Sequence, residues 1–331
     1  MAATADIDEK KKARMMASFT ETPPFPREIL LEPNNTCNHK CRFCAHSKMA
    51  RSPRPMPREL GARILAEAFQ AGARDVGLFA TGEPFASRDL AWFVAKAKEL
   101  GYEYVFLDSN GALASPELAK PVMEAGVDSI KFSINAGTRE SYLKVHGVDD
   151  FETVLRNIRW LHSFRRSANL PLRLYASMVV TAETRHEVPI LKALLDGIVD
   201  KFLERECSNQ GGNMLENNTT ETINKENLLG SRRQGEFSVK CTEPFNRLTV
   251  SSEGFLTGCV VDYSNSLIMA DLRKASISEA WHSPAYRQFR RKHLEGRLEG
   301  LICLACVENS SYDFSPTAPE FHAPYNKGDD K

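Results

Sequence analysis

The sequence predicts an α/β chain: a partial, TIM-like (β/α)6 barrel followed by a smaller α+β domain. Three observations carry this. From residue 28 onward, six strand-like apolar runs alternate with amphipathic helical stretches. The alternation ends at a polar stretch rich in Asn and Gly. The eight cysteines fall into a group of three early in the chain and a group of four late in it, with one between.

In chain order, residues 1–26 form an arm with the charged run Glu9-Lys10-Lys11-Lys12 and then Pro23, Pro24 and Pro26; it reads as loose or as a short helix. Strands are expected at Ile29–Glu32, Val76–Ala80, Tyr104–Leu107, Ser129–Ser133, Leu172–Val180 and Ile198–Leu203. A helix is expected over Asp89–Leu100, where Leu90, Phe93, Val94, Ala97 and Leu100 recur every three or four residues behind Ser87 as cap. Another is expected from Phe151 to about Phe164, with Val154, Leu155, Ile158 and Leu161 on one face and Asp149 or Asp150 to cap it. Alternating βα units call for a parallel sheet with right-handed crossovers. Six units are too few for the closed eight-stranded form, which leaves residues 27–206 as an open, partial barrel.

Residues 207–240 read as a linker, and residues 241–310 as the second domain. There, Phe245–Val250 and Phe255–Val261 flank Ser251-Ser252-Glu253-Gly254 and predict a β-hairpin. Ser276-Ile277-Ser278-Glu279 is a capping box, opening a helix that carries Ala280, Trp281, Tyr286 and Phe289. The tail, 311–331, holds Pro316, Pro319 and Pro324 and is expected to be loosely held.

Composition excludes some functions. With 43 Lys and Arg against 43 Asp and Glu, no field of one sign gathers a phosphate backbone, so no nucleic-acid partner is expected. The runs Lys10–Lys12 and Arg290–Lys292 read as solvated faces. No apolar stretch approaches the roughly 20 residues that cross a bilayer, and Met1–Phe19 lacks the apolar run of a secretory signal, so the expected location is cytoplasmic. Eight cysteines there point to metal ligation or redox chemistry rather than structural disulfides.

Cys37, Cys41 and Cys44 follow the first strand directly. Three thiolates so spaced suit three corners of an iron–sulfur cluster and leave one iron open to a ligand. The alternatives are a zinc site completed by His39 or His46, and three ordinary thiols. The spacing, with aromatic Phe43 before the third cysteine, resembles the signature of the radical S-adenosylmethionine (radical SAM) superfamily. Thr81-Gly82-Glu83-Pro84 is similar to that family's Gly-Gly-Glu motif, which takes the methionine amino group of S-adenosylmethionine, with Thr81 in place of the first Gly. Ser109-Asn110-Gly111 is similar to its Thr-Asn-Gly. Phe132-Ser133-Ile134-Asn135, with Tyr142–Gly147, is similar to its fourth-strand segment, whose polar residues approach the cofactor ribose or the substrate. The resemblance thus implies Phe43, Thr81, Gly82, Glu83, Ser109, Asn110, Ser133 and Asn135 as cofactor-binding. Independently, all of these motifs fall just past strand ends, where ligands of parallel α/β sheets bind. In isolation Glu83 is a solvated carboxylate, and Ser133 and Asn135 satisfy strand-end backbone groups.

Cys241, Cys259, Cys303 and Cys306 form the second group, with two at the hairpin edges and two as a Cys-x2-Cys pair. Four thiolates close either a zinc or a 4Fe-4S site. The region from Cys241-Thr242-Glu243-Pro244 to Cys259-Val260-Val261-Asp262, then Ser278–Ser283 and Arg290–Gly296, resembles the SPASM/twitch extension of radical SAM enzymes. A complete SPASM domain carries further cysteines; none follows Cys306. The resemblance therefore implies one auxiliary 4Fe-4S cluster on these four, beside a SAM-binding 4Fe-4S cluster on Cys37, Cys41 and Cys44.

The activity implied is reductive cleavage of S-adenosylmethionine to a 5′-deoxyadenosyl radical that abstracts hydrogen from a substrate. The expected substrate is a small polar molecule such as a sugar, aminocyclitol or nucleotide-linked sugar, oxidised at a secondary alcohol, with a one-electron donor such as flavodoxin or ferredoxin. Epimerisation is the alternative, with Cys207, just past the sixth strand, as hydrogen donor; its plain reading is an incidental thiol. Arg205 and Glu206 beside it could orient a polar substrate, or be surface charges. Peptide modification is less favoured, because fewer than 30 residues precede the first strand, and a non-catalytic metal-binding protein is the remaining class.

Overall fold

Strands buried on both faces read as near-continuous apolar runs, and the six runs of this sequence each contribute a strand to one sheet, the sixth at its edge and the least buried. In the computed structural model, which describes residues 17–214 and 241–309, they are β1 (Glu28–Leu31), β2 (Asp75–Gly77), β3 (Tyr104–Ser109), β4 (Ser129–Ser133), β5 (Arg173–Val180) and β6 (Lys201–Glu206). Each pairs in parallel with the next, through Ile29↔Val76, Val76↔Val105, Leu107↔Ile130, Ile130↔Leu174 and Ala176↔Phe202. The last strand begins three residues later than its apolar run, because Ile198 and Val199 belong to the turn after a helix, bonded back to Leu195 O. Glu9–Lys12, most of the 207–240 linker and the 311–331 tail lie outside the described residues.

The crossovers carry α1 (Arg58–Ala71), α2 (Leu90–Leu100), α3 (Pro116–Glu124), α4 (Arg139–His146), α5 (Phe151–Ser167) and α6 (Val188–Leu194). Strand side chains alternate between two cores. Ile29, Leu31, Val76, Val105, Leu107, Ile130, Phe132, Leu174 and Ala176 pack with Ile64, Phe93, Val94, Val154, Ile158 and Leu161 of the helices. Leu30, Tyr104 and Phe106 face the other way, with Phe79 and Val260 against them. The expected caps differ in detail. Asp89, not Ser87, is the N-cap of α2, and Ser87 Oγ accepts the Asp89 N–H at 3.3 Å. Asp150 is the N-cap of α5 but makes no side-chain cap bond; its carboxylate is turned to His39, at 3.2 Å.

The C-terminal part consists of α7 (Glu243–Asn246), β7 (Arg247–Val250), β8 (Phe255–Thr257), β9 (Ile268–Asp271), α8 (Ile277–Trp281), α9 (Pro284–Glu295) and α10 (Ile302–Asn309). The expected hairpin is β7–β8, turned at Gly254, whose φ of 87° is open to glycine and costly for a side chain. It is not a free-standing hairpin: β7 pairs in parallel with β1 over Glu28↔Arg247 to Leu31↔Val250, and β8 pairs antiparallel with β9. The sheet therefore runs β6-β5-β4-β3-β2-β1-β7-β8-β9. Arg247 and Glu28 form an ion pair across that seam. The capping box at Ser276 and Glu279 is present, but the helix it opens ends at Trp281; Ser283 caps a second one with Pro284 in its first turn.

The arm is docked where it is described. Ser18 Oγ donates to Asn246 Oδ1 at 2.8 Å, and Phe19 meets Phe245 edge-on. Trp281 Nε1 faces the carbonyls of Pro23 and Pro24 at 3.2 Å each. Arg290, expected on a solvated face, is fully buried between the rings of Trp281 and Tyr286 and donates to the carbonyls of Pro244, Glu21 and Trp281.

Candidate active site

The loops at the carboxyl ends of β1 to β4 gather around the first cysteine group. Each of its sulfurs has a polar neighbour from a different element. Asn110 Nδ2 lies 3.9 Å from Cys37 Sγ, His146 Nδ1 3.3 Å from Cys41 Sγ, and Tyr263 Oη 3.5 Å from Cys44 Sγ. Burial pushes the Cys37 thiol up to about 11 and Cys41 well above its usual value, with neighbouring thiols adding to both. Such thiolates form when a cation stands beside them, as iron would.

His39 Nδ1 sits 3.1 Å from His146 Nδ1, and His146 Nε2 bonds to Ile134 O at 2.6 Å. Donor atoms of His39, Cys41 and His146 lie within 4.8 Å of one another, a set able to hold a lone metal ion but using one of the three cysteines. His46 is turned away to Asn35 O, at 2.9 Å.

Glu83 is brought to this site and is buried. Its carboxylate accepts Ser109 Oγ at 2.7 Å, Asn110 N at 2.8 Å and Phe85 N at 3.0 Å. Burial lifts its pKa to about 7 against those three donors. It thus staples the loop after β2 to the end of β3. Gly82 is dictated by space: a Cβ there would stand 2.5 Å from Asn34 O and 2.7 Å from Thr36 O, backbone atoms of the cysteine loop. Thr81 spends both its N–H and its hydroxyl on Glu32, which also takes Ser252 N at 2.8 Å and pairs with Arg51. Arg51 reaches Glu253 as well, at 2.6 Å. Phe43 is half-buried within the cysteine loop. Asn135, at φ 62°, accepts Val179 N at 2.8 Å and donates to Ser133 Oγ at 3.4 Å, which is the strand-end role.

The second group converges on one small hollow, lined by Cys241, Cys259, Cys303 and Cys306 with Pro244, Phe289, Ile302, Val307 and His293. Burial pushes Cys303 up to about 12, and Cys241 and Cys259 well above the usual thiol value. His293 is 3% exposed, its Nε2 has no partner among the described residues, and burial holds it at about 4. Four sulfurs and an orphaned ring nitrogen around an otherwise apolar hollow fit a closed cluster.

Residues 207–214 connect the two centres. Gln210 Oε1 accepts Ala45 N at 2.8 Å, Lys48 Nζ donates to Asn213 O at 2.5 Å, and Asn209 Nδ2 donates to Ala305 O at 2.8 Å. Cys207 is half-buried past β6; its sulfur faces Ser208 O at 4.0 Å, and burial pushes its thiol up to about 11. Sequence reasoning missed Glu32, Arg51 and Tyr263; none carries a local motif.

A barrel with three cysteines at its strand ends and a four-cysteine annex defines a class, and the comparisons with known proteins agree. Residues 31–194 match the radical SAM superfamily and residues 241–307 the SPASM iron–sulfur cluster-binding domain. The chain belongs to the radical SAM superfamily and carries a SPASM domain, so its cofactors are S-adenosylmethionine and two iron–sulfur clusters. A probable GTP 3',8-cyclase of Saccharolobus solfataricus is 34% identical over 125 residues, 38% of this chain and 40% of that protein. One of Saccharolobus islandicus is 32% identical over 154 residues, 46% and 48% of the two. The chain thus spans less than half the length of these curated relatives. SuiB of Streptococcus suis, solved with its precursor peptide SuiA, superposes with a TM-score of 0.65 at 16% identity, covering 92% of this chain and 74% of SuiB. BtrN, solved with AdoMet and 2-DOIA, gives 0.55 at 17% identity, covering 86% and 97%. At such identities the likeness is one of fold. No helix among the described residues is long and apolar enough to cross a membrane.

Proposed function

We propose that this radical SAM enzyme dehydrogenates a secondary alcohol of a small polar substrate, such as a sugar, an aminocyclitol or a nucleotide-linked sugar. The observation that carries the reading is the second cavity: four cysteines line it, so a cluster there has all its irons held by protein and suits electron acceptance rather than substrate binding. An alcohol carbon that gives up a hydrogen atom, then a proton and an electron, becomes a carbonyl. When bound, the cofactors supply the hydrogen-abstracting radical and the electron acceptor.

The chain's own residues hold and orient. Cys37, Cys41 and Cys44 hold the first cluster and leave one iron for the cofactor. Glu83, Ser109 and Asn110 fix the loop ends against which the methionine moiety is laid, with Gly82 allowing the close approach of backbone. Phe43, Thr81, Ser133 and Asn135 line the same face, Thr81 and Asn135 by bracing it. A one-electron donor of the flavodoxin or ferredoxin class and a cytoplasmic location complete the proposal.

The test is anaerobic reconstitution, reduction with S-adenosylmethionine, and product analysis over polyols and nucleotide sugars. A carbonyl product that vanishes in Cys303→Ala/Cys306→Ala, while 5′-deoxyadenosine still forms, supports dehydrogenation; undiminished product in that variant refutes it. A second reading, epimerisation, is favoured by the Cys207 thiol, which burial keeps protonated, as a hydrogen donor must be. Loss of product in Cys207→Ala with continued nucleoside formation selects it. A cyclised nucleotide, the product the relatives' name implies, or a modified peptide would displace both.

A further inference from the structure

We propose that Tyr263 is a positioning residue that ties the two metal centres together, its phenol donating a hydrogen bond to Cys44 Sγ and so setting the potential of the SAM-binding cluster. Tyr263 lies four positions after Cys259, a cysteine of the second cavity, and its Oη is 3.5 Å from Cys44 Sγ. A thiolate bound to iron has only acceptor capacity, so in the loaded protein the phenol is the donor.

The placement is built rather than incidental. Tyr263 is 8% exposed and packs with Ala45 and Met214, beside Cys44, Met49 and Val261. The loop that carries it is pinned by the buried Asp262, whose carboxylate takes Ser266 N at 2.7 Å, Ser266 Oγ at 2.8 Å and Leu267 N at 2.8 Å. Asp262 N in turn bonds to Cys259 O at 3.2 Å. A short covalent path from Cys259 through Tyr263 and one hydrogen bond therefore reaches Cys44.

A donor to a cluster thiolate favours the reduced, more negative state. Removing it makes the first cluster harder to reduce, by about tenfold in the reduced-to-oxidised ratio at fixed potential, or ~59 mV for one electron. The inference rests on Cys37, Cys41 and Cys44 holding that cluster. Redox titration followed by electron paramagnetic resonance is run on Tyr263→Phe in a Cys303→Ala/Cys306→Ala background, in which only two sulfurs remain at the second cavity and the first cluster is read alone. A fall of that size, with loss of an exchangeable proton coupled to the cluster, supports the role. An unmoved potential with the same proton coupling overturns it.

Replacement of Tyr263 by 3-fluorotyrosine in the otherwise unaltered chain guards against a variant that folds badly. A more acidic phenol is a stronger donor, so the potential rises; no change overturns the proposal. If the parent chain takes up no cluster at Cys37, Cys41 and Cys44, it is the assignment of that site which fails, a result distinct from an intact cluster with an indifferent potential.

Discussion

Arg51→Met should be a costly change. Arg51 has 5% of its side chain exposed and Glu32 none, and Arg51 also pairs with Glu253. Removing one partner of a buried pair strands the other, at about 3–5 kcal/mol. Glu32 would keep three donors, Thr81 N, Thr81 Oγ1 and Ser252 N, which places the expected loss near the lower end, at about 3 kcal/mol. Glu32→Gln removes the charge while keeping an acceptor, so the double variant should be more stable than Arg51→Met alone, by about 1–2 kcal/mol. Urea denaturation of the four proteins of this cycle, followed by circular dichroism, measures each step. A loss below about 1 kcal/mol in Arg51→Met, or strictly additive single changes, would refute the view that this pair locks the loop after β1 to the hairpin turn.

Three other outcomes are expected. Gly82→Ala forces a Cβ against the carbonyls of Asn34 and Thr36; it should cost about 1–3 kcal/mol in denaturation and cut 5′-deoxyadenosine formation at least about tenfold, and wild-type behaviour in both would rule out the close-packing account. Removing the Cys-x2-Cys pair, in Cys303→Ala/Cys306→Ala, should lower reconstituted iron from about eight to about four atoms per chain, counted by colorimetric iron assay, since each cubic cluster holds about four. Acid should destabilise the chain through His146 and His293, which burial holds at about 3 and about 4, below the ~6.5 of an unfolded histidine. The unfolded chain then binds the extra protons, so their contribution is complete above about pH 6.5 and falls as pH drops toward 4, by about 3–4 kcal/mol between pH 7 and 5 for the two together. Urea midpoints at the two pH values check it; equal midpoints would mean these rings are not buried neutral.

What the sequence disclosed was local. Cys37, Cys41 and Cys44 sit within one loop, Glu83 and Asn110 follow strands whose apolar runs are plain and Ser109 ends one of them, so spacing and strand ends were enough to assemble them. Glu32 could not be read, because the group it secures, Thr81, is 49 positions away and the link exists only once β1 and β2 are side by side. Arg290 misled for the same reason: a charge in a basic run says nothing of the Trp281 and Tyr286 rings that enclose it. The short strand Ile268–Asp271 went unseen, being four residues at a sheet edge with one antiparallel neighbour. The break between α8 and α9 was written in Ser283-Pro284, a start signal inside what the apolar spacing alone joins into one helix.

The seam between β1 and β7 has a consequence for how such an enzyme changes over generations. Main-chain ladders are indifferent to side-chain identity, so the annex is hung from the barrel by a rail that substitutions cannot easily loosen. Surrounding residues are free to drift toward new substrates while the spacing of the two redox centres stays fixed. Severing the chain before Cys241 would leave β1 an open edge, and aggregation rather than a working half is what such an edge brings.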